Sequence, residues 1–201
     1  MDWEKASAEL SKKLDPKHVQ PPKQFGPKGS YIEGWFVIQE ANRIFGFGEW
    51  SYTLMDCKPV AEVPRKIGKE GKDGWGVTYV ATVRVIVDGV TREDVGAGHG
   101  YDVDLGLAHE SAIKESVTDA LKRALRTFGN PFGLALYDKS RENVGVDLPD
   151  PSAVKAQLLA CQTLPELAAT WKALPAPLRA ERIVLQAKDA RKEELSQKDA
   201  A

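Results

Sequence analysis

Three cations fall within one helical turn near the end of a long amphipathic stretch, residues 110–131, ESAIKESVTDALKRALRTFGNP: Lys122, Arg123 and Arg126. Lysine and arginine fixed on a rigid helix form a ridge that holds phosphates whatever the base sequence. The same cations suit the negative end of a helix dipole, so stabilisation of the last turn is the alternative reading. A second basic group is the glycine-punctuated segment RKIGKEGKDG at residues 65–74, where Arg65, Lys66, Lys69 and Lys72 stand beside Trp75. Charge next to an aromatic ring fits a contact with single-stranded nucleic acid; a solvated hairpin tip has the same composition. A third group, Glu93, Asp94, His99, Asp102, Asp104 and His109, has donors with which a nuclease could hold a divalent ion. Its spacing matches no trusted site pattern, and an acidic helix entry produces the same residues. There is no G-x-x-x-x-G-K-[ST] loop and no G-x-S-x-G turn, so neither nucleotide-driven nor nucleophilic chemistry is expected, and no cofactor or metal is implied.

These residues need elements to position them. Ile113, Val117, Leu121, Ala124 and Phe128 recur at helical spacing and predict a helix over residues 110–128, stopped by Gly129, Asn130 and Pro131. Glu110 with Lys114, and Asp119 with Arg123, are spaced for ion pairs along it. Alternation predicts strands at about residues 50–60, 76–87 and 90–95, with Asp88-Gly89 as a hairpin turn between the last two. The core is therefore α+β: a three-stranded antiparallel meander packed on the long amphipathic helix. Strand 76–87 is long and lacks proline, and is expected to offer an edge for pairing with a neighbouring subunit. Upstream, residues 3–14 read as a short helix and residues 17–29 as a Pro- and Lys-rich connector without periodicity. Ser30 and Glu33 read as a capping box opening a helix through Val37, Ala41, Ile44 and Phe45 to Gly46. Gly34 inside it points to a close approach by another element. Tyr31, Trp35, Tyr52 and Tyr79 read as core or subunit-interface aromatics.

Composition shifts after Gly145. Residues 147–151, DLPDP, read as a linker, followed by a small Ala-, Leu- and Lys-rich helical module with a second capping box at Thr163 and Glu166 and breaks at Pro175 and Pro177. Residues 1–146 and 147–201 are the expected domains. The chain has 201 residues and a net charge of -1, so a polyanion must be met by a local basic patch rather than by the whole surface. Cys57 and Cys161 offer neither a disulfide framework nor zinc spacing, which fits a reducing compartment. No membrane span or secretory signal is legible. The expected location is cytoplasmic, nucleoid-associated in a prokaryote.

Four segments together resemble the Rad52/Rad22 family of single-strand annealing proteins, in its compact prokaryotic or phage form: YIEGWFVIQEANRIFGFGEW, the strand Val83-Arg84-Val85, EDVGAG, and KESVTDALKRALRTFGNPFG, in the family's order and spacing over roughly residues 8–145. The resemblance implies ATP-independent annealing in homologous recombination and double-strand break repair, by an oligomeric ring with single-stranded DNA in a basic groove. It implies that Lys122, Arg123 and Arg126 line the groove floor and that the hairpin around Arg84, Asp88 and Gly89 forms its other wall. Two positions depart from eukaryotic members. Phe36 stands where they carry a basic groove residue, and Tyr101-Asp102-Val103-Asp104-Leu105 stands where they carry a lysine-bearing loop. The basic segment at residues 65–72 is the expected compensation. The alternatives are a metal-dependent nuclease using Asp102, Asp104 and His109, and a scaffold whose C-terminal helices recruit a partner such as a single-strand-binding protein or an exonuclease.

Overall fold

β-Branched residues dominate the middle of the chain and set its architecture. In the computed structural model, which describes residues 1–22 and 29–199, the elements run α1 (Trp3–Leu10), β1 (Val19–Gln20), β2 (Tyr31–Ile32), α2 (Gly34–Phe45), β3 (Trp50–Ile67), β4 (Lys72–Val87), β5 (Val90–Asp102) and α3 (Leu105–Arg126). α4 (Pro151–Ala160), α5 (Leu164–Ala173), α6 (Ala176–Ala180) and α7 (Arg182–Asp199) follow. β3, β4 and β5 form the antiparallel meander, in that order, with α3 across one face. Asp88 (φ 45°) and Gly89 (φ 80°) both take positive φ, as a two-residue hairpin turn matching the strand twist requires.

The strands are longer than alternation predicts. β3 and β4 pair from Trp50–Val87 to Ile67–Lys72, so most of the expected 65–74 loop is strand and only a short tip turns the chain. β4 is the central strand, paired on both sides, which corrects the expectation that it offers a free edge. The edges are β3 and β5. β3 carries Pro59, Pro64 and two register shifts, devices that blunt edge pairing.

Val77, Ala81, Val83, Val85 and Val87 point from β4 to the covered face and are fully buried. Three glycines on β5, Gly96, Gly98 and Gly100, occupy the same face, opposite Ala108, Ala112, Ser116 and Ala120 of α3. A Cβ on Gly100 would stand 1.8 Å from the Ala108 carbonyl oxygen, and one on Gly98 2.2 Å from that of Ala112. The helix therefore lies on the strand almost backbone to backbone. The buried face of α3 follows this small-residue row and then Leu121, Ala124 and Leu125, whereas Ile113, expected in the stripe, is 37% exposed. α3 also begins five residues before the expected start, where Asp104 caps it by accepting the Leu107 N–H at 2.9 Å. Of the two expected ion pairs, Lys114 and Glu110 meet, while Arg123 turns to Asp94 instead of Asp119.

α1 ends at Leu10 rather than residue 14, and residues 16–20 add a 3-10 turn and β1 within the expected connector; residues 23–28 of that connector lie outside the described residues. The capping box at Ser30 does not form. Tyr31 and Ile32 pair as β2 with β1 instead, and Glu33 precedes α2 without a side-chain cap bond. Gly34 does mark a close approach: its Cβ would meet Thr118 of α3 at 2.7 Å. Phe45 packs edge-on to Phe128 and parallel to Phe132, joining α2 to the end of α3.

Contacts divide the chain into residues 1–146 and 147–201. The first unit is closed by Leu14, whose N–H donates to Asn143 and whose carbonyl accepts from Gly145. The second has its own core of Val154, Leu158, Cys161, Leu167, Leu178, Val184 and Leu195. There Asp150 caps α4, and Thr163 caps α5 as its sequence predicts.

Candidate nucleic-acid interface

A groove of about 1770 Å3 runs along the β5 edge of the sheet. The β3–β4 tip supplies Arg65, Lys66 and Lys69; α3 supplies Lys114, Thr118 and Lys122; the outward residues of β5 supply Ala97, His99 and Tyr101. Five basic side chains face two acidic ones, Glu115 and Asp119, so the lining is net positive. A smaller concavity of about 360 Å3 adjoins it, lined by Lys122, Arg123, Arg126 and Arg141 with Tyr31 and Tyr137. Lys122 and Asp119 line both, so the two are continuous towards the C-terminal end of α3.

The α3 cations are not an equivalent ridge. Arg123 donates its Nε–H to Asp94 at 3.0 Å, and Arg126 lies 3.7 Å from the other Asp94 oxygen. Burial works against the charge on Arg123, but the hydrogen bond to Asp94 and its negative charge outweigh that and raise the guanidinium above its usual value. Arg126 also sits over the Tyr137 ring, 4.2 Å from its centroid, with 17% of its side chain exposed. Two guanidiniums thus share one carboxylate and remain net positive, while Lys122 makes no ion pair among the described residues. Arg123 and Arg126 thus bridge α3 to β5.

At the tip, Lys66 pairs with Asp73 at 2.6 Å and Lys72 with Glu70 at 3.0 Å, both in open solvent where such pairs contribute little. Lys66, Lys69 and Arg65 line the groove; Lys72 does not. Arg84 lies on the sheet face away from α3, donates to Glu93 at 2.6 Å, and lines neither concavity. Phe36 is 5% exposed with the His18 ring stacked on it at 3.9 Å, a core residue.

The residues considered for a metal are dispersed. His99 is on the outer face beside Thr78, whereas His109 on α3 faces Tyr79 and Glu62 on the inner face. Asp102 and Asp104 accept backbone N–H bonds at the helix entry. Among the described residues, no three of these side chains converge on a point where an ion could sit.

Tyr101, Lys114 and Arg141 line the two concavities and Asp94 ties down two of the arginines beside them; none of the four was singled out as a binding residue from sequence. Asp94 had a signal: it shares the alternation that turns Gly96, Gly98 and Gly100 inward, which places its carboxylate under α3.

Residues 2–153 match a family described as the Rad52/22 family double-strand break repair protein. Among curated proteins, the chain is similar to the DNA repair and recombination protein RAD52 of Saccharomyces cerevisiae, 39% identical over 153 residues, covering 73% of this chain and 31% of that protein. It is also similar to RAD52 of Eremothecium gossypii, 42% identical over 135 residues (66% and 30%), and to rad22 of Schizosaccharomyces pombe, 40% identical over 135 residues (65% and 28%). The chain spans about a third of the length of the curated relatives it matches.

Proposed function

The chain belongs to the Rad52/22 family, and from that premise we propose that residues 1–146 bind single-stranded DNA along the groove and anneal complementary strands without ATP. The observation that carries this reading is the continuity of the two basic concavities through Lys122. A strand lying there meets cations from two elements, the hairpin tip and α3, along one path. Contacts of this kind are to phosphates and are independent of sequence, which is what pairing any two complementary strands requires. Annealing makes and breaks no covalent bond, so the reading needs no catalytic group and no cofactor.

The same reading includes a homo-oligomeric ring. One subunit offers a short track with few cations; repeating it around a closed ring multiplies weak contacts along one strand. Residues 147–201, with a core of their own, are the part assigned to recruiting a partner such as a single-strand-binding protein or an exonuclease. A prokaryotic or phage source, with cytoplasmic, nucleoid-associated work, goes with the compact form of the family; the relatives named above are fungal and lend it no support.

The test is an annealing assay with complementary oligonucleotides. The chain should accelerate pairing equally with and without ATP, and Lys122→Ala should slow it. Unaccelerated pairing, or shortening of a labelled strand with magnesium or manganese, would overturn the reading.

A further inference from the structure

The groove contains, besides its cations, an aromatic feature of different chemistry. β5 turns His99 and Tyr101 to the same outer face, with their rings inclined by only 14° and centroids 6.4 Å apart. The Arg65 guanidinium lies 5.2 Å from the Tyr101 centroid. It crosses β4 at Gly76, where a Cβ would stand 2.7 Å from the Arg65 Cδ. The register puts Arg65 on the tip side of Tyr101 and His99 on the other. His99 is held twice: its Nδ1 is 3.0 Å from the Thr78 hydroxyl, and its backbone N–H donates to Glu115 at 2.6 Å. Tyr101 nevertheless remains 53% exposed, in the same groove as Lys66, Lys69 and Lys122.

An aromatic ring fixed by a cation on one side and left half open beside lysines fills no core. It offers a π-face where a phosphate-bearing chain would pass. We propose that Tyr101, backed by Arg65 and flanked by His99, is a stacking platform for an unpaired nucleobase of the strand in the groove. The inference rests on the groove being a DNA track and adds how a base, rather than a phosphate, is held there. Stacking is tolerant of sequence because every base has a π-face. It also selects for unpaired strands, since a base in a duplex is already stacked on both sides and must be extruded to reach the ring.

The test compares an oligothymidylate with an abasic strand of equal length and charge, using the full chain, Tyr101→Ala and Tyr101→Phe. The full chain should bind the thymidylate roughly ten-fold more tightly than the abasic strand. Tyr101→Ala should lose that preference with its salt slope unchanged, because no cation is removed, and Tyr101→Phe should keep it. A 2-aminopurine in the strand should be quenched by the full chain and recover in Tyr101→Ala, provided sedimentation gives the variant the parent's mass. If Tyr101→Ala retains both preference and quenching, or if the full chain binds the two strands equally, the platform is wrong while the groove stands. If the full chain binds neither strand, the groove reading falls and the platform with it.

Discussion

Asp94 sets how much positive charge the α3 ridge can present. It is one partly buried carboxylate between two guanidiniums, so it orders Arg123 and Arg126 and also offsets part of their charge. Asp94→Asn keeps an acceptor and removes the charge. Strand binding should tighten at low salt and its salt dependence should steepen, while thermal stability falls by about 1 kcal/mol as a charge-assisted bond becomes a neutral one. Fluorescence anisotropy across a salt series reads the first effect and a thermal melt the second. Lys122 is the cleaner probe of phosphate contact. Lys122→Ala should leave stability within about 0.5 kcal/mol, yet lower the slope of log K against log salt by roughly 0.7 for a lost contact on a single strand. An unchanged slope in Lys122→Ala removes Lys122 from the track. Truncating Arg126 is a less specific change, because it also uncovers Tyr137 and strips Asp94 of a partner.

Between elements, the glycine row of β5 decides how near α3 can lie. Gly98→Ala places a methyl group 2.2 Å from one α3 backbone atom and 2.3 Å from another, so the helix itself must move. Overpacking of this kind costs about 1–3 kcal/mol or more, several degrees in Tm for a unit of this size. Gly145→Ala, whose Cβ would make only ordinary contact at 3.5 Å, is the control. If both variants melt alike, the close approach does not limit the packing. A second junction joins α1 to α2: Arg43 bonds Glu40 on its own helix and Glu9 on α1. Hydrogen bonds from Lys12 first and Arg43 second hold the Glu9 carboxyl below its ordinary 4.5. A carboxylate lowered on folding stabilises fully above its unfolded value and loses that contribution as pH falls through the lower folded one. Urea midpoints taken from pH 7 downward should therefore drop less steeply below about pH 4.5 in Glu9→Gln than in the parent, and identical acid limbs would count against the junction.

At the scale of the whole molecule, assembly by strand addition at β4 or at the β3 edge is not favoured. The central strand is paired on both sides, and the β3 edge is guarded by prolines and bulges. Exposed apolar side chains on β3, Leu54 at 46% and Val63 at 46%, make side-chain packing the better basis for the ring proposed above. Leu54→Glu should then shift sedimentation of the DNA-free protein toward the monomer while circular dichroism stays constant. A monomeric parent would remove the ring altogether. Residues 1–146 have their own core and are closed by the Leu14 pairing with residues 143–145. A chain ending at residue 146 should therefore fold and bind strands with the parent's salt dependence; loss of the oligomer in that chain would assign the C-terminal helices to the assembly.

Alternating valines and the Asp88-Gly89 turn by themselves determined the meander, because period and turn chemistry are local properties of the chain. The order of the four family segments likewise carried family membership, and the composition change after Gly145 marked where the second set of helices begins. Elements decided by partners were less legible. Ser30 and Glu33 satisfy a capping pattern, but β1 competes for the same backbone and wins, making Tyr31 and Ile32 a strand. The buried row of α3 escaped hydrophobic periodicity because Ala108, Ala112 and Ser116 are chosen for size against the glycines of β5, not for apolarity. Lys122, Arg123 and Arg126 were visible as cations, but which of them is tied down depended on Asp94, distant in sequence and brought beneath α3 only by the pairing of β5 with β4. The stack of Arg65, Tyr101 and His99 joins two edge strands across Gly76, a proximity that only tertiary structure creates.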